Sequence, residues 1–173
     1  KEQCSKISHR ELIETLSEPI NFNVVVNFSI APSAYKENYN HEQDTNVIIA
    51  NAIKKQEGIK LVMVSTRQVY GVQKYQSEKS IAKPVTHYGR NKLRVEDEVI
   101  NILGLDRVVI LRCSNIFGFE VNRLTFMGLM SSSLLRTNII ILDFPKGTTK
   151  DFLPVKQFTE ILCKVIESGV SGV

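Results

Sequence analysis

The segment Tyr88-Gly89-Arg90-Asn91-Lys92 sets a phenol four residues before an ammonium. On a helix the two lie one turn apart on the same face. A nearby ammonium favours phenolate and draws a tyrosine pKa down from about 10 toward the working range. Such a tyrosine serves as general base on a hydroxyl whose carbon gives up hydride, or as acid in the reverse direction. Tyr and Lys at this spacing also occur on plain helix surfaces, so the pair takes its meaning from what surrounds it.

Other reactive side chains offer less. His87, just before Tyr88, reads either as a second base or as a surface histidine. His9 and His41 have no acidic or cysteine partner at ligand spacing. Cys4, Cys113 and Cys163 are far apart, with no C-x-x-C pair, so no zinc site or other metal centre is expected. Unpaired thiols fit a reducing cytoplasm, the expected location. Arg123 reads as a phosphate contact or a solvated loop residue.

The elements that must position Tyr88 and Lys92 alternate along the chain. Residues 8–16 read as a short helix opening on a Ser cap, and 22–28 as a strand buried on both faces. A helix over 44–55 is stopped near Gly58, and 60–65 is a second strand. A polar loop ending at Pro84 precedes a long helix over 88–103, which Gly104 ends. Residues 107–112 form a third strand. A helix over 127–136, a strand over 139–142 and a helix over 155–167 complete the reading. Buried strands separated by helices predict an α/β fold with a doubly wound parallel sheet of Rossmann type and helices on both faces.

Ligands of such sheets bind outside the carboxyl ends of the strands. There the sequence places Ser29-Ile30, then Ser65-Thr66-Arg67-Gln68, then Cys113-Ser114-Asn115. Small and hydroxylated residues at all three ends suit a close-fitting cleft. The formal net charge of +4 comes from bases interleaved with acids, as in Lys92 to Glu98, so no nucleic-acid stripe is expected and an anionic small molecule fits as well. No apolar run is long enough to span a bilayer, so no membrane partner is expected.

Five motifs in order resemble the extended short-chain dehydrogenase/reductases, the NAD-dependent epimerase/dehydratase family that acts on nucleotide sugars. Val25-Val26-Asn27-Phe28-Ser29-Ile30 is similar to its fourth strand and "NLAA" turn, and Ser65 to Gly71 to "SSxxVYG". Tyr88 to Lys92 resembles "YGxSK", Leu111 to Gly118 resembles "LRxxNVFG", and Lys150 to Val155 resembles "RDFIHV". The resemblance implies Tyr88 as acid/base, Lys92 as its partner and a ribose ligand, and Thr66 as the hydroxyl that shares the reacting oxygen. Ser29, Ile30, Ser65 and Cys113 would line NAD or NADP. Asn115 and Lys150 would contact the substrate diphosphate, Lys150 less firmly because a Lys is a point charge where the family often has an Arg fork.

The implied reaction is epimerisation of a nucleoside-diphosphate sugar through a transient ketone. A reductase that consumes NAD(P)H and a non-catalytic cofactor-binding protein are the alternatives. Dehydration is not expected, because Arg67 and Gln68 stand where the dehydratases carry an Asp-Glu pair. A homodimer through the helices of residues 44–55 and 88–103 is expected from the resemblance alone. No G-x-x-G-x-x-G occurs, and the first glycine is Gly58. The N-terminal Gly-rich βαβ unit that holds the cofactor pyrophosphate is therefore expected to be missing, leaving a fragment inactive by itself with Val24 to Val26 on a bare edge. Residues 1–118 would be the remainder of the cofactor domain and 119–173 part of the substrate-binding region. The link from Phe119 to Arg123 is short for the family.

Overall fold

Helix α3 (His87–Leu103) begins where the sequence requires it. Thr86 stands before it in extended conformation and its Oγ1 accepts the Gly89 N–H at 3.0 Å, satisfying a donor that the first turn leaves open. Gly104 ends it at φ +81°, its N–H returning to the Ile100 carbonyl at 2.8 Å. The computed structural model describes residues 5–15, 22–73, 75–118, 125–142 and 147–173. Cys4 and the whole Phe119–Arg123 link, Arg123 included, lie outside the described residues.

The first compact unit comprises residues up to Arg112 together with Val170–Val173. Its short helix α1 (His9–Thr15) opens on a reciprocal cap: Ser8 Oγ accepts the Glu11 N–H, and Glu11 Oε2 accepts the Ser8 N–H. Strand β1 (Val24–Asn27) leads to helix α2 (Thr45–Ile53), which Asp44 caps through the Asn46 N–H at 2.8 Å. Strands β2 (Lys60–Thr66) and β3 (Val108–Cys113) complete a sheet ordered β1-β2-β3. β1 and β2 run parallel, Val24 opposite Lys60 through Asn27 opposite Met63. At its end the chain returns to the sheet, Gly172 bridging Val109 in parallel.

The core follows from this arrangement. Leu12 of α1, Val47, Ile49 and Ile53 of α2, and Val95, Val99 and Leu103 of α3 bury against Val25, Leu61, Met63, Val108 and Ile110 of the sheet. Between β2 and α3 the chain turns at Gly71. Its φ of +69° and the Lys83 carbonyl oxygen, 2.0 Å from where a Cβ would lie, admit no side chain.

The second unit, Cys113–Gly169, holds two three-residue strands, β4 (Asn115–Phe117) and β5 (Phe152–Pro154), paired in parallel. It also holds helices α4 (Phe126–Thr137) and α5 (Val155–Ser168). Phe152 stacks on Phe126 at 5.7 Å and meets Phe117 edge-on at 5.8 Å. The strand expected at residues 139–142 does not form. These residues are exposed, and among the described residues no second strand pairs with them, so the apolar run has no ladder to join. Parallel strands with flanking helices give the α/β, Rossmann-type architecture that the alternating pattern predicts.

Arg107, read from sequence as the start of the third strand, precedes it and does other work. Its guanidinium donates to the carbonyls of Ile53, Lys54, Gln56 and Ile59 at 2.8 to 3.1 Å. It thereby satisfies the carbonyls left open at the end of α2 and in the loop after it. Arg107→Met should lower unfolding free energy by about 3 kcal/mol, since hydrogen bonds from a charged donor are among the strong ones. Arg107→Lys should recover little, because one ammonium cannot reach four carbonyls. An unchanged urea midpoint for Arg107→Met would reject the clamp.

Candidate active site at the end of strand β2

Strand β2 ends on Ser65 and Thr66, both buried, and the chain enters a 3-10 turn over Arg67–Tyr70. Thr66 caps this turn, its Oγ1 accepting the Gln68 N–H at 3.2 Å. Gln68 Oε1 in turn accepts from the Thr86 hydroxyl at 2.9 Å, the same hydroxyl that caps α3. Backbone meets backbone here: a Cβ on Gly89 would sit 2.6 Å from the Gln68 carbonyl oxygen. Glycine at this position lets the first turn of α3 press against the end of β2.

That approach delivers a stripe of α3 side chains to the sheet. Tyr88, Lys92, Val95, Glu96, Val99 and Leu103 are buried, at the i, i+4 and i+3 spacings of one helix face. Lys92 is 2% exposed and its Nζ donates to the Val64 carbonyl at 3.0 Å. Burial pushes its pKa below the ordinary lysine value, and the carboxylates of Asp44 and Glu96 oppose that shift. Glu96, 1% exposed, accepts from the Ser65 hydroxyl and from Arg112 Nε and Nη2 at 3.0 and 2.6 Å. The Arg112 guanidinium lies 4.9 Å above the Tyr70 ring.

A second buried network stands at the end of β1. Asn27 accepts from the Ser29 N–H and hydroxyl and donates to Asn46, and Asn46 donates to Asp44. The Tyr39 hydroxyl donates to the same carboxylate at 2.6 Å. Because Asn27 pairs with Met63, continuing the register brings Ser29 level with Ser65. Ile30 next to it is exposed.

Ser65, Thr66, Tyr88 and Lys92 thus gather around the end of β2, with Ser29 and Ile30 on the neighbouring strand end. Asn115 and Lys150 belong to the second unit. There Asn115 Nδ2 donates to the Asp151 carbonyl at 2.9 Å, clasping β4 to β5, and Lys150 Nζ lies 5.3 Å from the centre of the Phe126 ring. Cys113 ends β3 half-buried, and burial pushes its thiol up to about 11, so it is neutral at physiological pH. His87 is exposed and accepts from Arg90 at 3.2 Å, while His41 pairs with Glu98 at 3.4 Å. Among the described residues no three His, Cys, Asp or Glu side chains cluster as metal ligands, and no helix is long and apolar enough to cross a membrane.

One expectation is overturned. Lys92 does not draw the Tyr88 phenol down; Tyr88 is raised above the ordinary value of 10.0. Burial is the main cause, and Tyr35 and Asp44 act in the same direction. The Lys92 ammonium is turned toward Val64, whereas the Tyr88 ring lies flat against Tyr35, with centroids 4.4 Å apart. Sequence reading also missed Glu96, Arg112, Asn46 and Tyr35. Glu96 stands at i+4 from Lys92 and i+8 from Tyr88, so extending the helical stripe would have found it. Tyr35 carries no such signal.

The raised tyrosines set an alkaline limit. The unfolded chain loses these protons near 10, while the native state keeps them on Tyr88 and Tyr39. The stability they contribute is complete below pH 10 and is lost as pH rises beyond it. Urea midpoints followed from about pH 9 to about pH 11 should fall less steeply for the Tyr39→Phe/Tyr88→Phe double variant than for the unaltered chain. Equal slopes would show that neither phenol is held protonated.

The sequence model of the NAD dependent epimerase/dehydratase family matches residues 4–173. A comparison with curated proteins by sequence gives no match. Among solved structures, dTDP-glucose 4,6-dehydratase from Bacillus anthracis in complex with NAD is 24% identical, with a TM-score of 0.73, over 95% of this chain and 53% of that one. UDP-N-acetylglucosamine 4-epimerase from Methanobrevibacter ruminantium, in complex with UDP-N-acetylmuramic acid, is 23% identical with a TM-score of 0.71, over 87% of this chain and 53% of that one. UDP-glucuronic acid 4-epimerase from Bacillus cereus, in complex with UDP-glucuronic acid and NAD, is 19% identical with a TM-score of 0.68, over 93% and 52%. The chain spans about half the length of the solved structures it matches. These likenesses carry the fold, and since the family match omits only the first three residues, the chain belongs to the NAD dependent epimerase/dehydratase family.

Proposed function

We propose that this chain carries the acid/base part of an NAD-dependent enzyme that epimerises a nucleoside-diphosphate sugar. The observation that carries the reading is the grouping of the Thr66 hydroxyl, the Tyr88 phenol and the Lys92 ammonium around the end of β2. Family membership supports it, as do the sugar nucleotides and NAD held by the similar structures.

The residues present fit a nicotinamide nucleotide. Val64 is the one hydrogen-bond partner of the Lys92 ammonium among the described residues, so two further donors remain for ribose hydroxyls. Ile30 offers exposed apolar surface at the adjoining strand end, and Ser29 and Ser65 keep both ends small. NAD, when bound, accepts a hydride and returns it. As a phenolate, which its raised proton affinity opposes, Tyr88 would take the proton of the substrate hydroxyl as its carbon is oxidised and give it back to the oxygen on reduction. Thr66 orients that oxygen. In the second unit, Asn115 keeps its carbonyl oxygen and one N–H for the substrate, and Lys150 is a further candidate contact for its phosphates. The division into a cofactor part, 1–118, and a substrate part, 119–173, belongs to the same proposal, as does a homodimer through α2 and α3.

Dehydration is disfavoured on the residues themselves. Arg67 and Gln68 supply no carboxylic acid after Thr66, and Gln68 spends its carbonyl on the Thr86 hydroxyl. The raised pKa of Tyr88 favours one second reading: a phenol kept protonated is ready to donate to a ketone, as in a net reductase. Stoichiometry separates the two, because a reductase depletes NADH and an epimerase recycles it.

With NAD and a panel of UDP-glucose, UDP-glucuronic acid and dTDP-glucose, and in a polypeptide that joins this chain to a Gly-rich pyrophosphate-binding βαβ unit, Tyr88→Phe should lower turnover by about 10²- to 10⁴-fold, the usual worth of a positioned acid/base group. Its far-UV circular dichroism should match the unaltered chain. Full turnover in a folded Tyr88→Phe protein would sink the assignment.

A further inference from the structure

Tyr35 has no role in the scheme so far, yet the structure presses it onto the acid/base residue. After β1 a 3-10 turn over Pro32–Tyr35 lays the Tyr35 ring on that of Tyr88, with centroids 4.4 Å apart and planes 12° from parallel. Tyr35 is otherwise open, 59% exposed, so burying its own surface does not account for the placement. The backbone around it is pinned. Asn91, three residues beyond Tyr88 on α3, donates from Nδ2 to the Ala34 carbonyl at 2.9 Å and to the Lys36 carbonyl at 2.8 Å. The residues on both sides of Tyr35 are thus tied to the helix that carries Tyr88.

We infer that Tyr35 is a positioning residue for Tyr88: its ring fixes the plane of the Tyr88 ring, and its hydroxyl is the hydrogen-bond partner that a substrate oxygen replaces. This rests on the reading of Tyr88 as acid/base and adds a second phenol to that site. Parallel rings at this separation gain the attraction of stacked aromatics. Tyr35 also helps to hold the Tyr88 proton, acting in the same direction as burial. Only that proton is exchanged; no covalent bond to Tyr35 forms or breaks.

The test uses the full chain labelled with ¹³C at the tyrosine ζ carbons. The Tyr88 resonance is identified by its loss in Tyr88→Phe. Tyr35→Phe, which keeps the ring and deletes the hydroxyl, should move that resonance, and Tyr35→Leu, which removes the stack too, should move it further. An unmoved Tyr88 signal in Tyr35→Phe overturns the inference, whatever the enzyme does. With NAD and the same sugar-nucleotide panel, the acid limb of the kcat profile should move to lower pH in Tyr35→Phe. The expected shift is roughly half to one unit, the equivalent of one lost neutral hydrogen bond, with KM little changed. A superimposable profile also overturns it. Full turnover of Tyr88→Phe would instead remove the acid/base reading, a failure recognisable because the Tyr88 resonance still responds to Tyr35→Phe.

Discussion

The buried carboxylate of Glu96 is the constraint around which the first unit is organised. It lies on α3, takes a hydroxyl from β2 through Ser65 and a guanidinium from β3 through Arg112, and so joins three elements at one point. A carboxylate removed from water this completely is tolerable only with its charge paired and its lone pairs engaged. Both conditions are met, and both fix distances: α3 cannot rotate or slide along β2 without breaking a charged hydrogen bond. Tyr88 and Lys92 lie on the same helix face two turns and one turn before Glu96, so their placement at the strand end is inherited from it.

A second consequence is electrostatic. Lys92 pushes a charge into the same low-dielectric space, and burial lowers its proton affinity. Asp44 from the N-cap of α2 and Glu96 from its own helix oppose that tendency. The site therefore sits between two acidic anchors, each satisfied by its own partners: Asn46 and Tyr39 for Asp44, Arg112 and Ser65 for Glu96. Tyr88, stacked beneath Tyr35, feels burial more than it feels the ammonium. Its proton affinity is a property of the packing and not of the Tyr-Lys spacing.

The contrast shows what the sequence could convey. The C-terminal end of α3 was legible because Gly104 acts locally, through backbone groups within one turn. The strand ends at Ser29, Ser65–Thr66 and Cys113 were legible because apolar runs stop there and small residues follow. The direction of the Tyr88 shift was not, because it depends on which way the Lys92 side chain turns and on a ring delivered from a different loop. β4 and β5 were not legible either: three residues carry no periodicity, and each exists only because the other lies beside it. The run at 139–142 had strand character, but a ladder needs two strands.

The Arg107 clamp also bears on how the chain acquires its fold. Helix α2 closes its last carbonyls with a side chain more than 50 residues further along the chain, so its C-terminal end gains that cap only once the start of β3 has docked. A nine-residue helix has little persistence by itself. Its consolidation is thereby coupled to a contact of long sequence separation, which raises contact order and delays the reward for ordering it. On a ribosome, α2 would leave the exit tunnel well before the residue that finishes it.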